Sequence, residues 1–392
     1  MYQFYDEYCK IQVGKNRLRV LPDSRATVLH DFSSNDYLGL SHHPRLIEAV
    51  TAAASKWGTG STGSRLLSGN YGLIESLESQ IAQDKKSESA LVFSTGYQAN
   101  MTVLASLLST RVLPAAPLVF FDRLNHSSLY NGLFLSKAEY VTYEHNDMED
   151  LRHKLQEHCD VSRPSFIVAE TVHGMEGDLL PLAEIAALAK EYECFLYLDE
   201  AHATGLYGDQ GFGLSTTVDL SDVPHLVMGT FSKALGGQGA YIAATHGLKQ
   251  FFLNRTAGFI YSTAPSPVTV AAAYEAWKMV PELHAQRDHL FALACSLRSQ
   301  LREQGFTVLG DGSNIVPVCL HQEIDTLGLR NALLADGILV SAIRPPTVPT
   351  GTSRLRIAVN ATHDESAIAA LAASMAKHLP NPISGSVPCE SL

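Results

Sequence analysis

The sequence predicts an α/β fold, with a large domain built on a mostly parallel seven-stranded sheet and a smaller C-terminal α+β domain. Two observations predict it. The chain has 392 residues, 46% of them hydrophobic, which is enough to bury large cores. Short apolar runs also alternate with stretches of helical periodicity, the pattern of crossover units that cover both faces of a parallel sheet. The seven runs are ALVF (90–93), LVFF (118–121), YVTY (140–143), FIVAE (166–170), FLYLDE (195–200), LVMG (226–229) and AYIAA (240–244).

Three segments follow one another along the chain. Residues 1–45 form an N-terminal segment with a helix-like start, followed by FSSNDYLGL, which predicts loop and turn. Residues 46–280 carry the seven runs and form the large domain. Residues 281–392 form the small domain, with a helix in PELHAQRDHLFALACSLRSQL, strands in IVPVCL and RLRIAV, and two more helices. Its last residues, 380–392, are rich in Pro and Ser and are expected to be disordered.

Composition excludes several classes of protein. The net charge of −11 and the pI near 5.8 argue against nucleic acid as a partner, because phosphate binding needs a clustered basic surface. No apolar stretch is long enough to span a bilayer, and the N-terminus lacks the pattern of a signal peptide. The cysteines form no CxxC pair, so we expect reduced thiols in a cytoplasmic protein and no metal site. They are Cys9, Cys159, Cys194, Cys295, Cys319 and Cys389.

One glycine-rich motif has the wrong context for its usual ligand. GTGSTG (58–63) satisfies the dinucleotide fingerprint G-x-G-x-x-G. That fingerprint binds a dinucleotide when it follows a strand and opens a helix. Here an Ala-rich helical stretch, RLIEAVTAAASKW, precedes it, and SRLLSGN after it is a poor helix start. A nicotinamide dehydrogenase is therefore the weakest hypothesis for this chain.

Polar side chains follow several of the predicted strands, where open parallel sheets place their chemistry. Taken singly, each has an ordinary structural explanation: an aspartate caps a helix, a histidine is partly buried, and a lysine lies at the surface. Together they predict one site at the carboxyl edge of the sheet. The residues at these strand ends, including the glycine of the STG turn, are Ser94, Thr95, Gly96, Asn125, His126, Asp199, His202, Thr230, Ser232 and Lys233.

Pyridoxal phosphate (PLP) chemistry uses all of these residue types. The Lys233 amine can form a Schiff base with the cofactor aldehyde. The STG turn before a helix offers backbone N–H groups to the phosphate, with Thr230 adding a hydroxyl. A carboxylate at Asp199 raises the pKa of the ring nitrogen. His126 can stack on the ring, and His202 can reach its phenolic oxygen.

Six segments, in order along the chain, resemble the α-oxoamine synthases. These are PLP enzymes of fold type I that join an amino acid to an acyl thioester with loss of carbon dioxide. The first and last segments are most similar to the family member of the biotin pathway, which condenses L-alanine with a pimeloyl thioester. The segments are FSSNDYLGLSHHP, GTGSTGSRLLSGN, LDEAHATGLYG, GTFSKALGG, YSTAPSP and RPPTVPTGTSRLR.

The resemblance implies further roles. Gly96 and Tyr97 contact the phosphate and ring, and Thr263 reaches the phosphate from the partner subunit of a homodimer. Asn35 and Arg356 hold the amino-acid carboxylate, for which the guanidinium fork is suited. Arg17 lies in a segment that can face the acyl channel, and the acyl group is carried by coenzyme A or a carrier protein.

The chain departs from the family pattern in ETVHGMEGD (170–178). The family usually has Phe or Tyr and then Ser where this chain has His173 and Gly174. Either the serine contact to the phenolic oxygen is missing at Gly174, or His173 replaces it. Two alternatives stay open besides the dehydrogenase. One is another α-oxoamine synthase that uses glycine, serine or a long alkyl thioester. The other is a non-catalytic partner subunit, against which the presence of Lys233 argues.

Overall fold

The structure is a computed structural model that describes residues 1–21, 27–160, 162–208 and 210–378. The expected disorder of 380–392 lies outside these residues. The described chain divides into two compact units. The large unit comprises the described residues of Leu38–His173 and Leu179–Ala285, and the small unit comprises those of Met1–Tyr37, Gly174–Asp178 and Gln286–Leu392.

Strands within the described residues run, in chain order, as follows: β1 His30–Asp31, β2 Ser89–Phe93, β3 Leu118–Asp122, β4 Glu139–Tyr143, β5 Ser165–Glu170, β6 Phe195–Asp199, β7 His225–Thr230, β8 Ala240–Ala244, β9 Thr307–Val308, β10 Ile315–His321, β11 Ile338–Leu339, β12 Ser341–Ile343 and β13 Ser353–Ala358.

Helices in the same part of the chain are α1 Tyr2–Gly14, α2 Pro44–Trp57, α3 Gly72–Asp84, α4 Gly96–Leu107, α5 Ser127–Ser136, α6 Met148–His158, α7 Leu182–Glu191, α8 His246–Arg255, α9 Ala257–Ile260, α10 Pro267–Met279, α11 His284–Glu303, α12 Glu323–Ala335 and α13 Glu365–Lys377. None of these described helices is long and apolar enough to cross a membrane.

A seven-stranded sheet forms the centre of the large unit, in the order β2-β8-β7-β6-β5-β3-β4. Strands β7, β6, β5, β3 and β4 are parallel, and β8 pairs antiparallel with both β2 and β7. Strands β2, β3 and β5 are buried at every position, as expected for strands covered on both faces, whereas edge strand β4 is largely exposed. The predicted α/β fold with seven strands is confirmed.

Packing in the core of the large unit explains why the apolar runs form these strands. Aliphatic and aromatic side chains of β2, β3, β5 and β8 pack with one face of α4 and α5. Helix α4 contributes Ala99, Val103 and Leu104, all fully buried. Burial of such apolar surface is the main favourable contribution to folding.

The small unit is an α+β structure. Its four-stranded antiparallel sheet has the order β12-β13-β10-β9, and β1 pairs in parallel with β11. Strands β10 and β13 contain the predicted IVPVCL and RLRIAV segments. Buried Arg298 of α11 donates to the carbonyls of Ser313 and Ile315, so its charge is compensated inside the unit.

Candidate active site

The register of the sheet brings the predicted polar residues to one edge. Asp199, the last residue of β6, lies beside Glu170 of β5 and Met228 of β7. Ala240 of β8 pairs with both Phe93 of β2 and Thr230 of β7. Because the residues after Phe93, Asp199 and Thr230 leave the sheet at this edge, the segments carrying Thr95, His202 and Lys233 all start there.

The carboxylate of Asp199 is held rigidly. It is buried, and Asn100 Nδ2 donates to its Oδ2 at 2.6 Å, while the Ala201 N–H donates to its Oδ1 at 2.8 Å. A carboxylate in a fixed position is therefore available at the end of β6.

Asn100 is a functional candidate that the sequence analysis missed. Its side chain receives a hydrogen bond from the Tyr197 hydroxyl at 2.9 Å and donates to Ser128 Oγ at 2.9 Å. Ser128 Oγ in turn lies 2.7 Å from His126 Nδ1. One hydrogen-bonded network thus connects Asp199 with His126. The available signal was a polar residue at a buried position of the apolar helix ANMTVLASLL.

His126 lies at the N-cap of α5, where its Nδ1 accepts from the Ser128 N–H at 3.2 Å. The backbone N–H of His126 donates to the Glu170 carboxylate. Partial removal from water lowers the pKa of His126 below its usual value, Asp199 opposes this shift, and the positive charge of Lys233 adds to it. The imidazole is accordingly favoured in its neutral form, between a carboxylate and an amine.

Lys233 lies in the turn that follows β7, with an intermediate degree of burial. The turn is closed by the Gly236 N–H, which donates to the Lys233 carbonyl at 2.9 Å. Gly236 has φ +61°, and a Cβ there would come within 2.4 Å of the Ser41 backbone nitrogen. Glycine is therefore required after the lysine, and the position of Lys233 depends on this turn.

A second set of groups at the same edge suits an anion. Thr95 caps α4, its Oγ1 accepting from the Gln98 N–H at 3.1 Å, and Gly96 is the first residue of the helix. A Cβ at Gly96 would meet the Thr230 side chain at 3.8 Å, so the start of the helix lies against Thr230. Thr230 Oγ1 lies 2.7 Å from Ser232 Oγ. Helix N–H groups and two hydroxyls form a cradle suited to a phosphate.

The other predicted residues of the large unit lie around these groups. His202 is buried in the turn three residues after Asp199. Tyr97 is exposed, and its ring lies 6.4 Å from the ring of His126, centroid to centroid, in an edge contact. Thr263 is also exposed, and its carbonyl accepts from Ser94 Oγ of the same chain at 3.4 Å.

In the small unit, Asn35 and Arg356 are connected through one tyrosine. Arg356 Nη2 donates to the Tyr37 hydroxyl at 3.0 Å, and that hydroxyl donates to Asn35 Oδ1 at 3.1 Å. Burial raises the pKa of Tyr37, an effect that Arg356 opposes. Arg356 Nε also donates to the Gly174 carbonyl at 2.5 Å. Gly174 thus contributes a backbone acceptor that orients the guanidinium.

Arg17 is neutralised by an ion pair. Its Nη2 lies 2.7 Å from Glu323 Oε1 and its Nε lies 2.9 Å from the same oxygen. Nearby, Arg19 donates to Thr347 Oγ1 at 2.7 Å. Burial lowers the pKa of Arg344, the positive charges of Arg330 and Arg19 lower it further, and Glu323 opposes these shifts. We call Arg17, Arg19, Arg330 and Arg344 the arginine group.

His173, which the sequence analysis offered as a replacement for the serine contact to the phenolic oxygen, packs against another histidine. It is fully buried, and its ring packs edge-on against that of His145, with the centroids 4.2 Å apart. Asp122 lies close to both imidazoles. The sequence analysis did not associate these three residues.

Comparison with known proteins decides the family. The family model of class I and II aminotransferases matches residues 27–375. The chain is 41% identical to 8-amino-7-oxononanoate synthase of Geobacter sulfurreducens, over 93% of this chain and 92% of that one. It is 43% identical to the protein of the same name from Gluconacetobacter diazotrophicus, over 87% and 85% of the two chains.

The chain is an α-oxoamine synthase of the class I and II aminotransferase family. Solved structures agree with this assignment. Serine palmitoyltransferase of Sphingomonas wittichii superposes with a TM-score of 0.85 at 28% identity, covering 96% of each chain. A structure of SPT with PLP superposes with a TM-score of 0.86 at 27% identity, again covering 96% of each.

This α-oxoamine synthase is a PLP-dependent acyltransferase, and its fold is type I of the PLP-dependent transferases. The residues of the large unit fit the cofactor. The cradle at Gly96 and Thr230 suits the cofactor phosphate, and the Asp199 carboxylate suits the pyridinium nitrogen. The Lys233 amine can bind the aldehyde. All three kinds of group start from neighbouring strand ends of one sheet.

Proposed function

We propose that this enzyme condenses L-alanine with a pimeloyl thioester to give 8-amino-7-oxononanoate, carbon dioxide and the free thiol, in biotin biosynthesis. The observation that carries the proposal is the Lys233, His126 and Asp199 constellation in a chain 41–43% identical to proteins named for that product. When bound, PLP supplies an electron sink that stabilises negative charge at the amino-acid Cα.

Lys233 has two functions in this proposal. Its amine would hold the cofactor through the aldehyde, and the same amine would remove and later return the proton at the amino-acid Cα. Such a base needs a pKa below that of a solvated lysine. In other enzymes a lysine amine is activated by its removal from water.

Asp199 and His126 prepare the ring environment. Asp199, which Asn100 and the Ala201 N–H hold in position, would place a carboxylate beside the pyridine nitrogen and favour its protonated form. Neutral His126 presents a flat surface for stacking, and His202 donates to the phenolic oxygen. Thr230, Gly96 and Tyr97 hold the phosphate and ring, and Thr263 of the partner subunit completes the phosphate site.

The amino-acid carboxylate binds Asn35 and Arg356. Two of the five N–H groups of Arg356 are used by the bonds to Tyr37 and Gly174, which fix the plane of the guanidinium. A fixed guanidinium recognises a carboxylate bidentately with little further loss of entropy.

The distal carboxylate of the pimeloyl group binds the arginine group of the small unit. Glu323 pairs with Arg17 and also attracts Arg344, whereas Arg19 and Arg330 each repel Arg344 electrostatically, so an added anion beside Arg344 is favoured. The same charge suits the phosphates of coenzyme A or of a carrier-protein arm. A substrate with a plain alkyl end offers no counter-charge, and such substrates form the alternative that the serine palmitoyltransferase neighbours keep open.

Steady-state turnover with three amino acids tests the choice of alanine. L-Alanine, glycine and L-serine are each supplied with pimeloyl-CoA, and the product mass and released carbon dioxide are measured. The proposal expects the highest kcat/KM with alanine and the mass of 8-amino-7-oxononanoate. Preference for glycine or serine by tenfold or more would assign the chain to a different α-oxoamine.

A further inference from the structure

Three side chains outside the proposed cofactor site form what we call the His–Asp cluster: Asp122, His145 and His173. Asp122 ends β3, His145 follows β4 by two residues, and His173 follows β5 by three residues. Strands β4, β3 and β5 are adjacent in the sheet. The cluster therefore joins three neighbouring strand ends at the carboxyl edge of the large unit.

The ligand-type atoms of the cluster converge. One carboxylate oxygen of Asp122 and one nitrogen from each imidazole all lie within 4.8 Å of one another. His145 Nδ1 is 3.0 Å from Asp122 Oδ1 and 3.1 Å from Oδ2. The two imidazole planes are nearly perpendicular, at 83°. This arrangement lets nitrogens of both rings and the carboxylate approach a common point.

Backbone groups fix the orientation of Asp122. The Leu124 N–H donates to Oδ1 at 2.8 Å, and the Asn146 N–H donates to Oδ2 at 3.0 Å. The carboxylate is therefore held by outer hydrogen bonds, as metal-ligating carboxylates are.

We propose that Asp122, His145 and His173 bind one divalent transition-metal ion of the zinc class. Two imidazoles and one carboxylate are a donor set that suits Zn²⁺, which prefers nitrogen and oxygen ligands in tetrahedral geometry. Bonds of about 2.0–2.2 Å place neighbouring ligand atoms roughly 3.4 Å apart, so binding draws the widest pair closer by at most about 1.4 Å. The ion replaces the proton that His145 Nδ1 shares with Asp122.

Access and rigidity fit this assignment. Side chains of Asp122 and His173 are buried, whereas 15% of the His145 side chain is exposed, which leaves a route from solvent and a side for a fourth, water ligand. Because each ligand comes from a different strand end, the bound ion ties three strands together. Its role is structural, and it is independent of the reaction proposed for Lys233.

His173 makes the cluster a property of this chain. It stands where the family pattern quoted above has Phe or Tyr, so the substitution His173→Phe keeps a planar ring in the buried position while removing the third ligand. A protein with this change is expected to fold, and it is the matched control for metal binding.

Equilibrium dialysis of the PLP-loaded enzyme against buffered Zn²⁺ tests the proposal, with bound zinc measured by elemental analysis. The wild type is expected to bind one Zn²⁺ per chain and to show a higher Tm with zinc than without it. His173→Phe and His145→Gln should each weaken zinc binding by at least about tenfold. Cobalt substitution should give the visible absorption of a tetrahedral site in the wild type, but not in His173→Phe or His145→Gln.

His153→Gln is the control for surface binding, because His153 on α6 is a histidine with 73% of its side chain exposed. It should bind zinc like the wild type. Equal zinc binding by the wild type and His173→Phe, or no stoichiometric zinc in the wild type, would overturn the proposal. If His173→Phe does not fold, the same comparison between the wild type and His145→Gln decides it.

Discussion

For Asp199, the sequence pattern predicts where the residue lies but not which residues hold its side chain. Its place after an apolar strand predicted a carboxylate at the edge of the sheet, and the structure places it there. Its rigidity comes from Asn100, which lies 99 positions earlier in the chain, and from Tyr197 behind Asn100. Sequence pattern locates strand ends, but it does not show which buried polar residue of a helix faces them.

Replacing Lys233 by Ala should abolish covalent attachment of the cofactor and lower kcat by at least about 10³-fold, because it removes both the nucleophile and the base. Borohydride reduction of the yellow wild-type protein, followed by peptide mapping, should place the label on the peptide that contains Lys233. Label on another lysine, or wild-type turnover by Lys233→Ala, would contradict the assignment.

Replacing Asn100 by Ala should weaken PLP binding by about 10- to 100-fold, because hydrogen bonds to buried charged groups contribute about 1.5–3 kcal/mol. The pH dependence of the cofactor absorbance should change as well, since Asp199 loses a donor. Both are measured by titrating apoenzyme with PLP. The matched control is Asn254→Ala, at an exposed position of α8, which should behave like the wild type. An unchanged affinity and spectrum in Asn100→Ala would remove Asn100 from the site.

At the scale of elements, the sequence predicted most of the framework. All seven strand segments of the large sheet are confirmed, because strands buried on both faces read as continuous apolar runs. The helix after the STG turn and the non-helical stretch after GTGSTG are confirmed too. The His–Asp cluster was missed because its members lie at positions 122, 145 and 173, and such spacing forms no local motif.

A buried ion pair fixes the loop that follows β6. Lys85 donates to Glu200, to the Phe212 carbonyl at 2.7 Å and to Ser215 Oγ at 2.7 Å, and both charged side chains are completely buried. Gly213 must be glycine here, since it has φ +108° and a Cβ would collide with the Glu200 carboxylate. This pair holds the chain that carries His202.

Replacing Lys85 by Met should therefore lower the free energy of unfolding by about 3–5 kcal/mol, because it leaves Glu200 as an uncompensated buried charge. Urea unfolding followed by circular dichroism measures the change. As a control, Lys190→Met removes an exposed partner of Asp222 and should leave the midpoint nearly unchanged. Equal effects of the two substitutions would show that burial does not increase the contribution of the Lys85–Glu200 pair to the free energy of unfolding.

At the scale of the whole molecule, the role proposed for Thr263 needs a second copy of the chain. The resemblance assigns Thr263 to the active site of the partner subunit, and a two-fold dimer then contains two equivalent composite sites. Exposed Thr263 and its neighbour Tyr261, of which 85% is exposed, are available for contact with another chain.

Mixed dimers test this assignment. In a heterodimer of Lys233→Ala and Thr263→Ala chains, one site would carry both defects and the other neither. Activity should then exceed that of either parent homodimer, with sedimentation confirming the dimer. No recovery in verified heterodimers would show that Thr263 acts within its own chain, and a monomer in sedimentation would refute the composite site altogether.

The most direct measurement of the central claim compares two acyl thioesters with L-alanine as the fixed co-substrate: pimeloyl-CoA and heptanoyl-CoA, which differ in the terminal carboxylate. A site built to pair a charged group of the substrate rejects an analogue lacking that group by a large factor. The account predicts that kcat/KM for pimeloyl-CoA exceeds that for heptanoyl-CoA by about 10²-fold or more. Equal or better use of heptanoyl-CoA would contradict a dicarboxylic substrate and would place the enzyme among synthases of alkyl amino ketones.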